Sequence, residues 1–149
     1  MNEQQQLSKI RLAAMDLLAG REYSSGELRV KLSKKFENQS QIARAIDQLI
    51  AGNLQSDTRF AEAFIRSRVN RGQGEIRIRN ELRQRGISDQ LAVEAIEGCR
   101  VDWLALARDI ALHKFGADQP SDSAQRAKRM RFLQYRGFTC DQINSALSP

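Results

Sequence analysis

Apolar positions recur every three or four residues along almost the whole chain, which is the spacing that gives a helix one buried face. The first such run contains Leu7, Ile10, Ala14 and Leu17. The sequence has only two prolines and lacks the runs of β-branched residues that favour strands. The pattern therefore predicts an all-α protein.

Polar residues at the expected starts of helices divide this pattern into nine predicted helices. Ser24 and Glu27 form a Ser-x-x-Glu capping box ahead of the second helix. Ser56 and Ser88 are predicted N-caps of the fourth and sixth helices. Thr139, followed by Gln three residues later, is predicted to open the ninth.

The predicted helices repeat in groups of three, with a period near 50 residues. When Leu32, Leu82 and Leu133 are aligned, similar residues coincide ten, thirteen and fourteen positions further on: Ile42, Ala92 and Ile143; Ala45, Ala95 and Ala146; Ile46, Ile96 and Leu147. A constant period of this length is typical of a repeat array. The sequence thus predicts three tandem three-helix repeats, at residues 1–54, 55–99 and 100–149, that form an elongated, curved array.

Basic charge is concentrated on the middle helix of each repeat. The chain has 24 Lys and Arg against 18 Asp and Glu, a net charge of +6. Residues 25–36, 75–85 and 124–136 contain 13 of the basic and 3 of the acidic residues, so they carry +10 and the rest of the chain −4. This segregation predicts a basic stripe that faces phosphates or an acidic protein groove.

The stripe supplies the candidate partner-binding or DNA-binding residues: Arg77, Arg79, Arg83, Arg85, Arg126, Lys128, Arg129 and Arg131. The alternative is that solvated helix faces are often basic, and that cations near helix C-termini favour the helix dipole. The dipole accounts for the three bases that align at the C-terminal ends, Lys35, Arg85 and Arg136. It does not account for the four bases in the first half of their helices: Arg77, Arg79, Lys128 and Arg129.

Most aromatic residues lie at positions predicted to face the core, including Trp103, Phe60, Phe64 and Phe132. Tyr135, on the basic eighth helix, is the one aromatic residue predicted to be available to a partner.

The residues that catalysis would require are missing from the pattern. His113 is the only histidine, and no nucleophile–base pair can be assigned around it. Gly72-Gln-Gly74 has no predicted strand before it and no Lys-Ser/Thr after it, so it indicates a turn rather than a phosphate loop. Cys99 and Cys140 lack metal-ligand spacing and are predicted to be half-buried free thiols. No catalytic residue, metal or cofactor is expected.

The apolar runs are short, and residues 1–6 lack the basic and apolar regions of a signal peptide. The sequence therefore predicts a cytoplasmic protein with no membrane partner.

The second repeat has the most specific pattern: Asp57-Thr-Arg59-Phe60-Ala61, then Gly72-x-Gly74 and Arg77-Ile-Arg-Asn-Glu-Leu82-Arg-Gln-Arg85-Gly86-Ile87. It resembles the RecX family, whose members regulate the bacterial recombinase RecA. The resemblance extends to Tyr23-Ser24-x-x-Glu27-Leu28 and to Phe132-Leu133-x-x-Arg136-Gly137-Phe138, and so covers nearly the whole chain. The first repeat departs from the pattern at Phe36, where the family has Gly after the basic residue.

The resemblance implies three tandem three-helix units that bind in the deep groove of the RecA–DNA filament, and we expect the chain to be a monomer. It also implies inhibition of the ATPase, strand-exchange and coprotease activities of RecA. Weaker, electrostatic binding to single-stranded and double-stranded DNA is expected from the stripe. Two alternatives stay open: a stand-alone DNA-binding repeat protein, with the middle or third helices as helix-turn-helix readers, and an enzyme with an unrecognised site.

Overall fold

The computed structural model describes residues 2–149, which form nine α-helices and no strand. The prediction of an all-α protein is confirmed. In chain order the helices are α1 Glu3–Gly20, α2 Ser25–Ser33, α3 Gln39–Ala51, α4 Asp57–Asn70, α5 Glu75–Gln84, α6 Asp89–Gly98, α7 Trp103–Phe115, α8 Ser123–Arg136 and α9 Cys140–Ala146.

The predicted N-caps fix the starts of these helices. Ser24 Oγ accepts a hydrogen bond from the backbone N–H of Glu27 at 3.0 Å, and the Glu27 side chain accepts from Ser24 N at 3.1 Å. The Thr139 capping box of α9 is also present, and Ser56 and Ser88 cap α4 and α6. Each cap satisfies backbone N–H groups that have no partner within the helix.

Apolar side chains collect in three separate cores, one for each group of three consecutive helices. The three middle helices contribute fully buried residues to their cores: Leu28 and Leu32 from α2, Ile78 and Leu82 from α5, and Leu133 from α8. Trp103 packs against both the second and the third core. The three-helix repeat is therefore confirmed, while the boundaries at 54/55 and 99/100 stay a prediction.

The accessible surface is larger than that of a compact protein. It measures 9185 Å² for a 16.9 kDa chain, whereas a compact monomer of this mass exposes about 7,700 Å². Helices that pack extensively always belong to the same group of three. The repeats therefore touch one another over small areas, as in an extended array.

The three middle helices are joined end to end, in the spatial order α8, α5, α2. At the first joint, Ser24 Oγ ahead of α2 donates to the carbonyl of Arg85, just after α5, at 2.6 Å. At the second joint, Gly74 N ahead of α5 donates to the carbonyl of Arg136, at the end of α8, at 2.7 Å. Each joint thus pairs N–H or O–H donors at one helix start with carbonyls at the preceding helix end, where the helix dipoles also attract. We call this arrangement the column.

Glycine allows the close approach at the second joint. A Cβ atom on Gly74 would lie 2.5 Å from the Gly137 carbonyl carbon, and one on Gly137 would lie 2.4 Å from Arg77 Cβ. Gly137 also has φ +99°, in the left-handed region. Phe36, which aligns with Gly86 and Gly137, lies beyond the free C-terminal end of α2, where no further repeat docks. The absence of a joint there explains why this position does not need glycine.

Two further findings concern the remaining sequence predictions. Cys99 is half-buried as predicted, but Cys140 is exposed, because it is the first residue of α9 and lies outside the core. Within residues 2–149, no helix is both long enough and apolar enough to cross a membrane.

Candidate functional site

The candidate residues on α5 are engaged in ion pairs within the protein. Arg79 Nε and Nη2 donate to the two carboxylate oxygens of Asp89, both at 2.9 Å. Arg83 Nε lies 3.8 Å from the same carboxylate. Asp89 is the first residue of α6, so this pair ties the middle helix of the second repeat to its third helix.

A second carboxylate on α5 is shared by two arginines. Glu81 accepts from Arg68 Nε of α4 at 2.9 Å and from Arg77 Nε at 3.1 Å. Burial raises the pKa of Glu81, but the hydrogen bonds from Arg77 and Arg68 outweigh burial, so the net pKa is below its ordinary value. The hydrogen bond from Arg79 likewise lowers the pKa of Asp89.

Arg85 belongs to the first joint. Its Nη1 donates to Glu27 Oε2 of α2 at 2.9 Å, and its guanidinium lies 5.0 Å from the centroid of the Phe64 ring. The four candidate residues on α5 and at its end thus each have a carboxylate within 4.0 Å. Their charges are only partly compensated there, because these four arginines, together with Arg21 and Arg68, share three carboxylates: Glu27, Glu81 and Asp89.

The candidate residues on α8, unlike those on α5, form no ion pairs within residues 2–149. Arg129 donates to the Asp118 carbonyl at 2.9 Å and lies over Phe115, while Arg126 makes a long 3.5 Å contact to the Leu147 carbonyl. Lys128 and Arg131 are exposed, and no carboxylate of residues 2–149 forms an ion pair with either. None of the five basic residues of α8 forms an ion pair within residues 2–149, and Lys128 and Arg131 are the two of them that are exposed.

The first repeat contributes cations that the candidate set omitted. Arg29, Lys31, Lys34 and Lys35 of α2 and the turn after it are all exposed, and none has an ion-pair partner in the described part of the chain. The charge count over residues 25–36 already contained this signal. The candidate residues were chosen on the helices of the second and third repeats, with the most specific motif in the second. The basic residues of the first repeat were therefore left out.

The column therefore carries cations without ion-pair partners at its two ends, and between them a segment whose positive charge is partly compensated. The α2 end contains Arg29, Lys31 and Lys34, and the α8 end contains Lys128 and Arg131. Such a distribution suits a long polyanionic or acidic surface contacted at two separated places.

The structure also describes the residues that catalysis would use. Across residues 2–149 no group of His, Cys, Asp and Glu is arranged to hold a metal ion. His113 is exposed, with Nδ1 3.4 Å from Asp109 Oδ1. The Gly74 N–H, which a phosphate loop would aim at an anion, donates to the Arg136 carbonyl instead. The Gly72-Gln-Gly74 segment is thus part of the second joint.

Three family models match successive parts of the chain. They are described as the RecX first three-helix domain, over residues 11–49, the second, over residues 56–96, and the third, over residues 101–147. Together they span most of the sequence and follow the same division into three-helix groups as the three cores.

Curated relatives and solved structures agree with these matches. The chain is 44% identical to the "Regulatory protein RecX" of Halorhodospira halophila over 137 residues, 92% of this chain and 85% of the relative. It is 46% identical to that of Chromohalobacter salexigens over 136 residues, 91% of this chain and 88% of the relative. The crystal structure of RecX from Lactobacillus salivarius has the same fold, with a TM-score of 0.82, 24% identity, and coverage of 95% of this chain and 94% of that chain.

Proposed function

The chain belongs to the RecX family of regulatory proteins, and from that premise we propose that it binds the filament that RecA forms on DNA and restrains the recombinase. The proposed outcome is inhibition of the ATPase, strand-exchange and coprotease activities of RecA. Family membership supplies the target. The manner of binding rests on one observation, the column with uncompensated positive charge at both ends.

Because the column holds its two charged ends apart, the protein can contact two neighbouring subunits of the filament at the same time. The second joint contains two backbone hydrogen bonds, of 2.7 and 3.0 Å, and the first is held by side-chain bonds such as Arg85 to Glu27. The two charged ends therefore keep a defined separation and can meet different subunits of a helical filament. Two linked contacts give a higher apparent affinity than either one alone.

Regulation then follows from differential binding. A protein without a catalytic role changes an enzyme's activity only by binding some of its states more tightly than others. A chain that spans two filament subunits favours the arrangement in which both contacts fit, and it opposes the rearrangements that accompany ATP turnover. Its presence in a groove that holds DNA also excludes a second DNA strand.

The geometry argues against a helix-turn-helix reader on α2 or α5. Recognition helices present their N-terminal residues to the bases. The start of α2 lies against Arg85, with Ser24 fully buried, and the start of α5 lies against Arg136 and Gly137. Of the three middle helices, only α8 begins away from a joint, so it is the candidate for a stand-alone DNA-binding role.

A steady-state ATPase titration with purified RecA and single-stranded DNA tests the proposal. We expect the protein to lower the DNA-dependent ATPase rate at a near-stoichiometric ratio and to hydrolyse no ATP by itself. Arg29→Gln with Lys34→Gln, at the α2 end, and Lys128→Gln with Arg131→Gln, at the α8 end, should each weaken inhibition. Removing one phosphate-binding cation should also reduce the salt dependence of binding by about one unit of logarithmic slope.

Lys9→Gln with Arg44→Gln is the matched control, because it removes the same charge from exposed positions on α1 and α3. It should inhibit as the parent does. An unchanged ATPase rate at several-fold molar excess of the parent protein, at low salt, would exclude the regulatory function and favour the stand-alone DNA-binding protein.

A further inference from the structure

Tyr135 is the one aromatic side chain that is exposed in residues 2–149. The chain has one Trp, two Tyr and six Phe, and all the others are buried or half-buried. By contrast, 78% of Tyr135 is accessible. A single exposed apolar side chain needs no special explanation, so its surroundings decide whether it has a function.

Those surroundings are cationic. Lys128 and Arg131 precede Tyr135 at helical spacings of seven and four residues, so the three exposed side chains share one face of α8. From the neighbouring helix α5, the Arg77 guanidinium carbon lies 5.2 Å from the centroid of the Tyr135 ring. Glu81, whose carboxylate is hydrogen-bonded to Arg77, holds that guanidinium in place.

Beside the ring, a shallow groove runs along the second joint. Ile76, 45% exposed, and Tyr135 supply its apolar part, and Asn80, Gln84 and Gln134 supply amide groups. The acidic group in the lining, Glu81, is already engaged by Arg68 and Arg77. The groove therefore offers a planar ring, amide donors and acceptors, and cations.

The corresponding groove at the first joint has no exposed aromatic residue. The repeat register places Gln84 at the position of Tyr135 and Val30 at the position of Asn80. That groove is lined by Tyr23 and Val30, but Tyr23 is half-buried, and the Arg21 guanidinium lies 3.6 Å from its ring centroid. An accessible aromatic face on a basic helix is thus specific to the second joint.

Proteins bind single-stranded nucleic acids by pairing cations that follow the phosphates with aromatic rings on which bases stack. We propose that Tyr135 is a stacking platform for one base of single-stranded DNA, with Lys128 and Arg131 contacting the adjoining phosphates. This inference rests on the proposed function, in which the same surface faces a DNA-containing filament. It adds that the protein contacts the DNA strand directly. The ring lies between Arg77 on one side and the incoming base on the other.

Fluorescence anisotropy with a labelled oligothymidylate and no RecA tests the contact in the full chain. Tyr135→Ala should bind about 5- to 100-fold more weakly, with an unchanged salt slope because tyrosine carries no charge. Tyr135→Phe should retain most of the affinity. Lys128→Gln with Arg131→Gln should instead reduce the slope, by about 0.7 units for each phosphate that the protein no longer neutralises. Leu12→Ala, which truncates another exposed apolar side chain, 60% accessible on α1, is the control and should bind as the parent does.

An abasic oligonucleotide separates stacking from charge. The parent should bind it more weakly than oligothymidylate, whereas Tyr135→Ala should bind the two equally. Photocrosslinking to a 5-iododeoxyuridine oligonucleotide should map to the peptide that contains Tyr135. Circular dichroism confirms that each variant is folded.

Two results would overturn the proposal. One is that Tyr135→Ala and the parent bind bare single-stranded DNA with equal affinity. The other is that both proteins lose the same affinity when the abasic oligonucleotide replaces oligothymidylate. If that variant binds bare DNA normally yet no longer inhibits RecA, Tyr135 contacts protein, and the proposed function stands without the base contact. If instead the parent fails to inhibit RecA but the stacking pattern is observed, the base contact stands and the regulatory function fails.

Discussion

Glu81 accepts hydrogen bonds from an arginine of α4 and from an arginine of its own helix. The two charge-assisted bonds lower the pKa of the carboxyl, in spite of partial burial. At the scale of the residue, then, several basic side chains of the second repeat stabilise the fold through specific carboxylates.

We expect this carboxylate to make stability depend on pH. Because its pKa is lower in the folded than in the unfolded protein, its contribution is complete above the ordinary value of 4.5 and is lost as the pH falls through the folded pKa. Glu81→Gln should reduce the free energy of unfolding at pH 7 by roughly 1 kcal/mol. It should also flatten the acid side of the stability profile, measured by urea unfolding between pH 7 and 3.

Glu62→Gln, at an exposed position on α4 that makes no ion pair within residues 2–149, is the control and should leave the profile unchanged. Parallel profiles for the parent and Glu81→Gln would show that the two arginines contribute nothing through this carboxylate.

The residue scale also shows what the sequence could and could not predict. The capping boxes were predictable because both partners lie three residues apart in one local motif. The pairing of Arg79 with Asp89 was not, because it joins two helices whose relative orientation is set by the core. Position within a helix therefore identified the basic residues of α5, but it could not show that each of them has a carboxylate partner within the protein.

At the scale of the element, the joints of the column decide how the repeats are connected. Hydrophobic periodicity predicted each helix, because it determines which face of a helix is buried. It carries no information on contacts between helix ends, which are made by backbone groups and by glycines. The end-to-end order α8, α5, α2 consequently became visible only in the structure.

Gly74→Ala tests the second joint. Its Cβ would lie 2.5 Å from the carbonyl of Gly137 and 2.6 Å from Phe138 N, and backbone atoms cannot yield without opening the joint. We expect a destabilisation of about 1–3 kcal/mol in thermal unfolding. Gly98→Ala, at the end of α6 with no atom within 4 Å of the new methyl group, should be neutral or slightly stabilising. Equal melting temperatures for the two variants would mean that the joint tolerates the methyl group.

At the scale of the whole molecule, the extended array separates the two charged ends. The large accessible surface and the small areas between repeats are both consequences of three cores rather than one. The repeat number followed from the sequence period, whereas the separation of the charged ends depends on the geometry of the joints and could not be predicted.

This arrangement predicts a preference for assembled RecA over its free subunit. Two linked contacts raise apparent affinity by roughly 100- to 10,000-fold when both engage, and a free subunit offers only one. Biolayer interferometry should therefore show at least about 100-fold tighter binding to immobilised filaments than to monomeric RecA at the same salt. Similar affinities for the two forms would indicate a single contact site on one RecA subunit.

Phe36 gives the column a defined length. At both joints the corresponding position is a glycine with positive φ, Gly86 or Gly137, onto which the next middle helix closes. Phe36 instead packs its side chain into the first core, so the end of α2 lacks the glycine onto which a middle helix of another copy could close in the same way. We therefore expect the chain not to form an open-ended polymer through this contact. On a filament that the protein binds as proposed, the number of bound molecules would then be set by the filament's own binding sites.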